Sequence, residues 1–282
     1  MNEEARAPLP DKSSMLYWYP KIKDLPIPQP KTEIVDIREF DPDWSYDWID
    51  GKAGLPEALV SELKEVCQRI GYPVFLRTDH ISGKHDWENT CFIKDEKALG
   101  RNLFGVIEAS MMADLSINAL VVREYIPMAT LFTAFSGHMP VNPEIRFFVR
   151  DGKRDCWHWY WVENAIWNAS VENWRKLLKT AEDEVKARWC DGIPRYKEAS
   201  DVLGNYADSV AKVLDGYWSV DFCKAADGRW ILIDCAEGDK SWHENDCLFN
   251  KGGKLWLSFA SPVADRRRCA QKSWTQNSFP CG

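Results

Sequence analysis

The sequence predicts an α+β fold, and three observations predict it. Short apolar runs with strand character come in pairs joined by Asp-Gly turns, which mark antiparallel hairpins. Helical periodicity fills the stretches between them. The order of these elements lacks the regular strand–helix alternation of a doubly wound parallel sheet.

Taken in order, residues 1–14, MNEEARAPLPDKSS, are charged, Pro-containing and aperiodic, and disorder is expected there. Residues 15–36 hold Pro20, Pro26, Pro28 and Pro30 and are expected to be extended, because proline is excluded from helix interiors. A helix is predicted over 56–70, with Pro56 in its first turn, Leu59, Leu63, Val66 and Ile70 on one face, and Gly71 ending it. A strand at Tyr72–Leu76 leads through the polar loop TDHISGKHDWENT to a second short strand, Cys91–Lys94. Residues 95–114 are predicted to be helical and 119–126 a strand. Glu144–Arg150 and Cys156–Val162 form a hairpin through Asp151-Gly152. Helices are expected over 170–190 and 205–215. Trp218–Ala225 and Arg229–Cys235 flank the Asp227-Gly228 turn, and 261–282 has the composition of a loose tail. The expected division is an N-terminal lobe over 15–118, a C-terminal lobe over 119–260 and a flexible tail over 261–282.

Composition narrows the function classes. The 282 residues include 45% hydrophobic ones, enough for a substantial core. No run approaches the roughly 18 apolar residues of a membrane span. The acidic N-terminus lacks the basic and apolar regions of a signal peptide, so a cytoplasmic protein without membrane association is expected. Nine cysteines, an odd number without a CxxC pair, point to reduced, buried thiols. The net charge of −7 argues against nucleic-acid binding, while leaving room for a local basic cleft. Fifteen tryptophans suit core packing better than a base-stacking surface, which needs interleaved basic residues. The five histidines show neither HxH nor HxxxH spacing. GxSxG, GxxxxGK[ST] and GxGxxG are all missing, so no motif supports a serine hydrolase, a P-loop NTPase or an ordinary Rossmann enzyme.

Four segments can carry chemistry. Arg77 ends a strand, and Ser82-Gly83-Lys84 lies in the loop beyond it. Cations, a hydroxyl and a Gly-permitted backbone approach make a phosphate clamp there, and the alternative is a solvated loop. In VVREYIP (121–127), the Glu124 carbonyl and the Ile126 amide, flanking Tyr125, offer the edge contacts an adenine needs; an ordinary buried strand is the alternative. In EIRFFVR, alternation puts Ile145, Phe147 and Val149 on one face and Glu144, Arg146 and Phe148 on the other, facing either solvent or a charged cleft. In SVDFCKAADGRWILIDCAEGD (219–239), Asp221 and Asp234 interrupt apolar runs on paired strands. Two adjacent buried carboxylates repel unless a cation lies between them or each meets an Arg or Lys. Magnesium bridging phosphate oxygens is the natural cation.

In this order and spacing the segments resemble the ATP-grasp superfamily. GYPVFLR with TDHISGK resembles its strand cation and phosphate loop, VVREYIP its adenine hinge, EIRFFVRDGK its Arg-bearing strand, and SVDF…DGRWILIDCAEG its metal-binding hairpin. LPIPQPKT (25–32) resembles the segment leading into the fold. Arg77 stands where most members have lysine, as in a divergent clade. Asp234 stands at the usual Glu and Ala236 at the usual Asn, leaving Glu237 or Asp239 to complete the metal set. The resemblance implies two α+β lobes clasping Mg·ATP. It implies phosphate contacts from Arg77, Ser82, Gly83 and Lys84, and adenine contacts from Glu124, Tyr125 and Ile126. Arg146 would stabilise transferring charge, with Mg²⁺ on Asp221, Asp234 and Glu237. The implied activity is a ligase that activates a carboxylate as an acyl phosphate for attack by an amine or other nucleophile, with a peptide or protein among the eligible substrates. A second implication is an ATP-dependent assembly factor for a protein complex. The loop 78–90, with only Ile81 and Trp87 as large apolar side chains, is expected to be mobile without nucleotide.

Overall fold

A computed structural model describes residues 11–40, 43–135, 137–189, 202–245 and 247–250. The expectations for 1–10 and for the tail at 261–282 lie outside these residues. Contacts divide the chain into Met1–Ser241 and Trp242–Gly282. In the second unit, the Asn250 amide donates to the His243 and Glu244 carbonyls. The first unit holds both large sheets.

These two sheets are four-stranded and antiparallel, each with alternating faces. The first has the order β1 (Thr32–Asp36), β4 (Ala119–Glu124), β2 (Val74–Thr78), β3 (Phe92–Ile93). Thr32 pairs with Arg123, Ile34 and Arg77 with Val121, and Phe75 with Arg123. These residues therefore share one face. The opposite face supplies Val35, Val74, Leu76, Leu120 and Val122 to a core completed by α3 (Glu57–Ile70) and α4 (Leu99–Met112). Helix α3 follows the predicted pattern, burying Leu59, Leu63 and Val66 on one stripe and ending at Gly71 with φ of +96°.

The second sheet has the order β10 (Trp230–Glu237), β9 (Tyr217–Lys224), β7 (Glu144–Arg150), β8 (Lys153–Trp159). Ile145 pairs with Phe222 and Phe147 with Val220, and these fill a second core against α5 (Trp174–Trp189) and α6 (Val202–Ala211). On the other face Arg146 pairs with Asp221 and Glu144 with Cys223. The expected α+β character and both Asp-Gly hairpins are thus present.

One strand departs from simple alternation. Leu232 pairs with Phe222, but Asp234, not Ile233, pairs with Asp221. Ile233 is the extra residue of a β-bulge. Without it, Asp234 would share the core face with Leu232; the bulge turns it to the face of Asp221. The Ile233 carbonyl, released from the ladder, accepts from Arg123 Nη1 at 2.5 Å.

Two expectations for the N-terminal region are corrected. Residues 11–14 are ordered, and Met15–Ile22 is a helix, α1, with Pro20 inside it. The Ser14 hydroxyl caps it by accepting from the Leu16 amide and itself donates to Asp79 at 2.6 Å. Burial of Met15, Trp18 and Ile22 offsets the bond that Pro20 removes. These three side chains join the core of the second sheet, not that of the first lobe to which the sequence assigns them. Two small elements fall in stretches left unassigned by pattern: α2 (Trp44–Ile49) and a hairpin of β5 (Phe132–Ala134) with β6 (Met139–Val141).

The loop after β2 is packed more closely than its composition suggests. Lys84–Asn89 forms a 3₁₀ segment preceded by Gly83 at φ of +62°. Trp87 lies against Phe92, Tyr125 and Phe75. A Cβ on Gly105, in the middle of α4, would come within 2.2 Å of the Asn89 carbonyl oxygen. Gly→Ala in a helix interior normally stabilises by about 1 kcal/mol. Here Gly105→Ala should instead lower stability, by about 1–3 kcal/mol, because backbone must move. Urea denaturation reads the sign directly; a stabilised variant would show that the loop is free to yield.

Candidate functional site

The polar faces of the two sheets meet along β2 and β10. Arg77, almost fully buried, donates from Nη1 to Asp234 Oδ1 at 3.0 Å, from Nε to the Thr78 carbonyl and from Nη2 to the His80 carbonyl. Beside it, Arg146 grips Asp221 with two parallel bonds of 2.8 and 2.7 Å. This fork-on-carboxylate geometry is among the strongest pairings available to side chains. A third pair, Lys84 Nζ to Glu144 Oε1 at 3.9 Å, completes the cluster. Three cations and three carboxylates thus lie paired in one largely buried cluster. Every cation assigned by sequence to phosphate meets a carboxylate, and two of those carboxylates are the ones assigned to metal.

This arrangement corrects one step of the sequence argument. Asp221 and Asp234 are adjacent, as the hairpin requires, but each has its own arginine. Their proximity therefore does not by itself demand a metal. Glu144 and Arg146 face other charged side chains and not open solvent. Glu144 is 3% exposed, and its Oε1 has no hydrogen-bond donor. Burial pushes its carboxyl up to about 7; Lys84 and Arg146 oppose the rise, while Asp221 and Asp234 add to it. Burial works against the Lys84 ammonium too, yet Glu144, Tyr160 and Asp221 hold it well above its usual range. Arg146 is likewise raised, by Asp221 above all other partners, against the effect of burial.

Glu237 does not join this cluster. It pairs with Trp218, on the face of Cys235, and its carboxylate meets Lys240 at 2.8 Å and the Ser13 hydroxyl at 3.3 Å. Asp239 is exposed in the turn that follows. Ser82 and Gly83 sit in the turn before Lys84, where the Gly83 carbonyl accepts from Thr90 Oγ1 and the Asp86 amide. At the end of β4, Tyr125 packs against Phe92 at 5.0 Å and Trp87 at 6.4 Å between ring centroids. Glu124 and half-buried Ile126 thus border an aromatic wall that also includes Phe75. In this structure Trp87 packs the loop against that wall.

Sequence reasoning missed Glu144 and Arg123 as site residues. Both are interior charges on strands, and that combination was the available signal. Arg123 is 4% exposed and bonds Thr32 Oγ1 and the Ile233 carbonyl, with Nη2 lacking an acceptor. Burial, then Arg77, pushes its guanidinium down to about 10.

Asp221, Asp234 and Glu144 are oxygen donors, the ligand type of a hard divalent cation such as Mg²⁺, but here each meets a cationic side chain instead. The pairing also sets stability. Asp221→Ala removes the carboxylate that buried Arg146 grips with two bonds, so stability should fall by about 3–5 kcal/mol. Asp221→Leu with Arg146→Met should recover most of that loss. Equal melting curves for wild type and Asp221→Ala would mean the pair is not a structural one. A second expectation concerns pH. A carboxyl whose folded pKa exceeds its unfolded value of 4.5 holds its proton more tightly in the native state. Its contribution is therefore full below pH 4.5 and lost as pH rises through about 7. Glu144→Gln should flatten the decline in stability between those limits, as measured by denaturation at a series of pH values; an unchanged profile would assign the decline elsewhere.

Among the described residues no helix is long and apolar enough to cross a membrane. Among solved structures, Cdc123 from Schizosaccharomyces pombe is similar at 12% identity and a TM-score of 0.49, over 80% of this chain and 83% of that one. A RimK domain ATP-grasp protein from Sphaerobacter thermophilus matches at 12% identity and a TM-score of 0.39, over 80% and 58% of the two chains. D-alanine–D-alanine ligase from Bacillus anthracis, complexed with ATP, matches at 12% identity and a TM-score of 0.38, over 80% and 53%. A search of curated proteins finds no matching sequence. The model of a clade-specific ATP-grasp domain, family 3 of its clade, matches residues 67–250, well over half of the 282, and the chain belongs to that ATP-grasp family.

Proposed function

We propose that this protein is a Mg²⁺- and ATP-dependent ligase that activates a carboxylate as an acyl phosphate. The observation that carries the reading is the cluster of ion pairs Arg77–Asp234, Arg146–Asp221 and Lys84–Glu144 where the two sheets meet. Such a cluster can exchange partners. With nucleotide bound, the cations would turn from carboxylate to phosphate oxygens, which would leave the carboxylates available as oxygen ligands. Asp221, Asp234 and Glu144 are the residues that would hold Mg²⁺, which when bound neutralises developing charge on the phosphates.

The chain's own groups then have separate tasks. The Glu124 carbonyl and Ile126 amide hold the adenine edge beside Tyr125. Arg77, with the turn Ser82-Gly83-Lys84, orients the phosphates. Arg146 and Lys84 stabilise the equatorial oxygens of the transferring group. An oxygen of the acceptor carboxylate forms the new P–O bond while the bond to the ADP oxygen breaks. An amine then attacks the acyl carbon, loses its proton, and phosphate departs. In such reactions positioning and charge stabilisation supply most of the acceleration.

Partner exchange gives a test with a distinctive sign. Mg²⁺ alone would strand the arginines, and ATP alone would strand the carboxylates, so the wild type should bind Mg·ATP far more tightly than either component. Asp221→Asn removes the charge that holds Arg146. It should bind metal-free ATP more tightly than the wild type, by about tenfold, and lose most of the gain from Mg²⁺. Calorimetry with ATP in EDTA, ATP in Mg²⁺, and Mg²⁺ alone measures both. Metal-independent ATP affinity in the wild type, with no change in Asp221→Asn, would exclude the exchange. Phosphate release under Mg·ATP, screened against amino acids, peptides and cell extract, tests the ligase step. Single-turnover release with no small acceptor would favour the assembly-factor reading instead.

A further inference from the structure

Lys84 and Arg146 are like charges from different parts of the fold, one on the 3₁₀ segment after β2, the other in the middle of β7. One side chain touches both. Tyr160 follows β8 directly, and its amide donates to the Glu144 carbonyl at 3.0 Å, extending the β7–β8 ladder by one residue. That register puts Tyr160 on the face of Glu144 and Arg146. The Arg146 guanidinium carbon lies 4.7 Å from the centre of its ring and Lys84 Nζ 4.6 Å. The Tyr160 hydroxyl oxygen also accepts from Lys84 Nζ at 3.2 Å.

We propose that Tyr160 is the positioning residue that fixes Lys84 and Arg146 at one separation, and so shapes the polyphosphate site. The inference rests on the reading of these two cations as phosphate-facing. A ring attracts cations through its electron-rich face, and the attraction grows where water is excluded. Unlike Glu144 and Asp221, a neutral ring does not compete for a metal ion when the ion pairs exchange. It holds the cations without cancelling their charge, so they stay in place as the carboxylates turn away. Without it, the ammonium and guanidinium groups would separate under their mutual repulsion. The hydroxyl secures Lys84, and the ring secures both cations.

The experiment compares wild type, Tyr160→Phe and Tyr160→Leu in titrations with inorganic tripolyphosphate, adenosine and Mg·ATP, after far-UV circular dichroism has established that each is folded. Tyr160→Leu, which loses ring and hydroxyl, should weaken tripolyphosphate and Mg·ATP by about tenfold or more, and adenosine hardly at all. Tyr160→Phe keeps the ring and should lose about threefold for the same two ligands. Partial rescue by the conservative variant, confined to phosphate-bearing ligands, is a signature that general loosening of the fold does not produce. The proposal is overturned if Tyr160→Leu binds tripolyphosphate as the wild type does. Equal losses for adenosine and tripolyphosphate, or a wild type that binds no tripolyphosphate, would also overturn it. Should Tyr160→Leu not fold, an unchanged tripolyphosphate affinity in Tyr160→Phe overturns it alone. Tyrosine-dependent binding of tripolyphosphate without any binding of adenosine would support this inference while removing the nucleotide reading above.

Discussion

A buried charge must have a partner, and this requirement governs how the two sheets of the protein meet. Taking an ion out of water costs several kcal/mol even after relaxation, and removing one member of a buried pair leaves that cost uncompensated. Arg77 comes from the first sheet, Asp234 from the second, and their bond is a direct ionic link between the two polar faces. Arg146 and Asp221 sit beside it, 13% and 7% exposed. The apolar clusters behind each sheet hold each lobe together. Of the three pairs, Arg77–Asp234 and Lys84–Glu144 tie one lobe to the other, while Arg146–Asp221 lies within the second sheet.

The cluster of pairs depends on strand alternation, and alternation alone would have spoiled it. Along β10, Leu232 and Asp234 are two residues apart and belong to one face of a regular strand. The extra residue at Ile233 breaks that equivalence and brings Asp234 opposite Asp221. Its freed carbonyl is taken up by Arg123, so the irregularity leaves that oxygen paired. A bulge beside a functional cleft is a common way to re-aim a side chain without altering the rest of a sheet.

Much of this was legible in the residues, and the reasons for the remainder are physical. The strands of β7 and β9, the Asp-Gly turns, and helix α3 follow from period and turn chemistry, which are local. Asp221 was readable as a buried acid because it interrupts an apolar run; Asp234 interrupts one too, yet its side chain stays about a third exposed. What opposes them was not readable, since Arg77 and Arg146 are distant in sequence and only the tertiary fold brings them together. The bulge is invisible in Ile-Leu-Ile-Asp, where four residues satisfy either register. Helix α1 was misread because four prolines in residues 15–36 outweighed the Ser14 cap and the spacing of Met15, Trp18 and Ile22. The loop at 84–89 looked unsupported because its support comes from the backbone approach of Gly105, a feature with no side chain to announce it.

Helix α1 has an implication for how the chain is made. Its aromatic Tyr17 stacks on Trp218, and Ser13 reaches Glu237, some two hundred residues further on. A ribosome adding about 5–20 residues per second needs roughly 10–40 s to cover that distance. Through that interval Met15, Trp18 and Ile22 have no completed second sheet to rest against. The segment that becomes α1 therefore waits on strands made much later to cover its apolar side chains, and eight residues alone are too few to hold a helix until then.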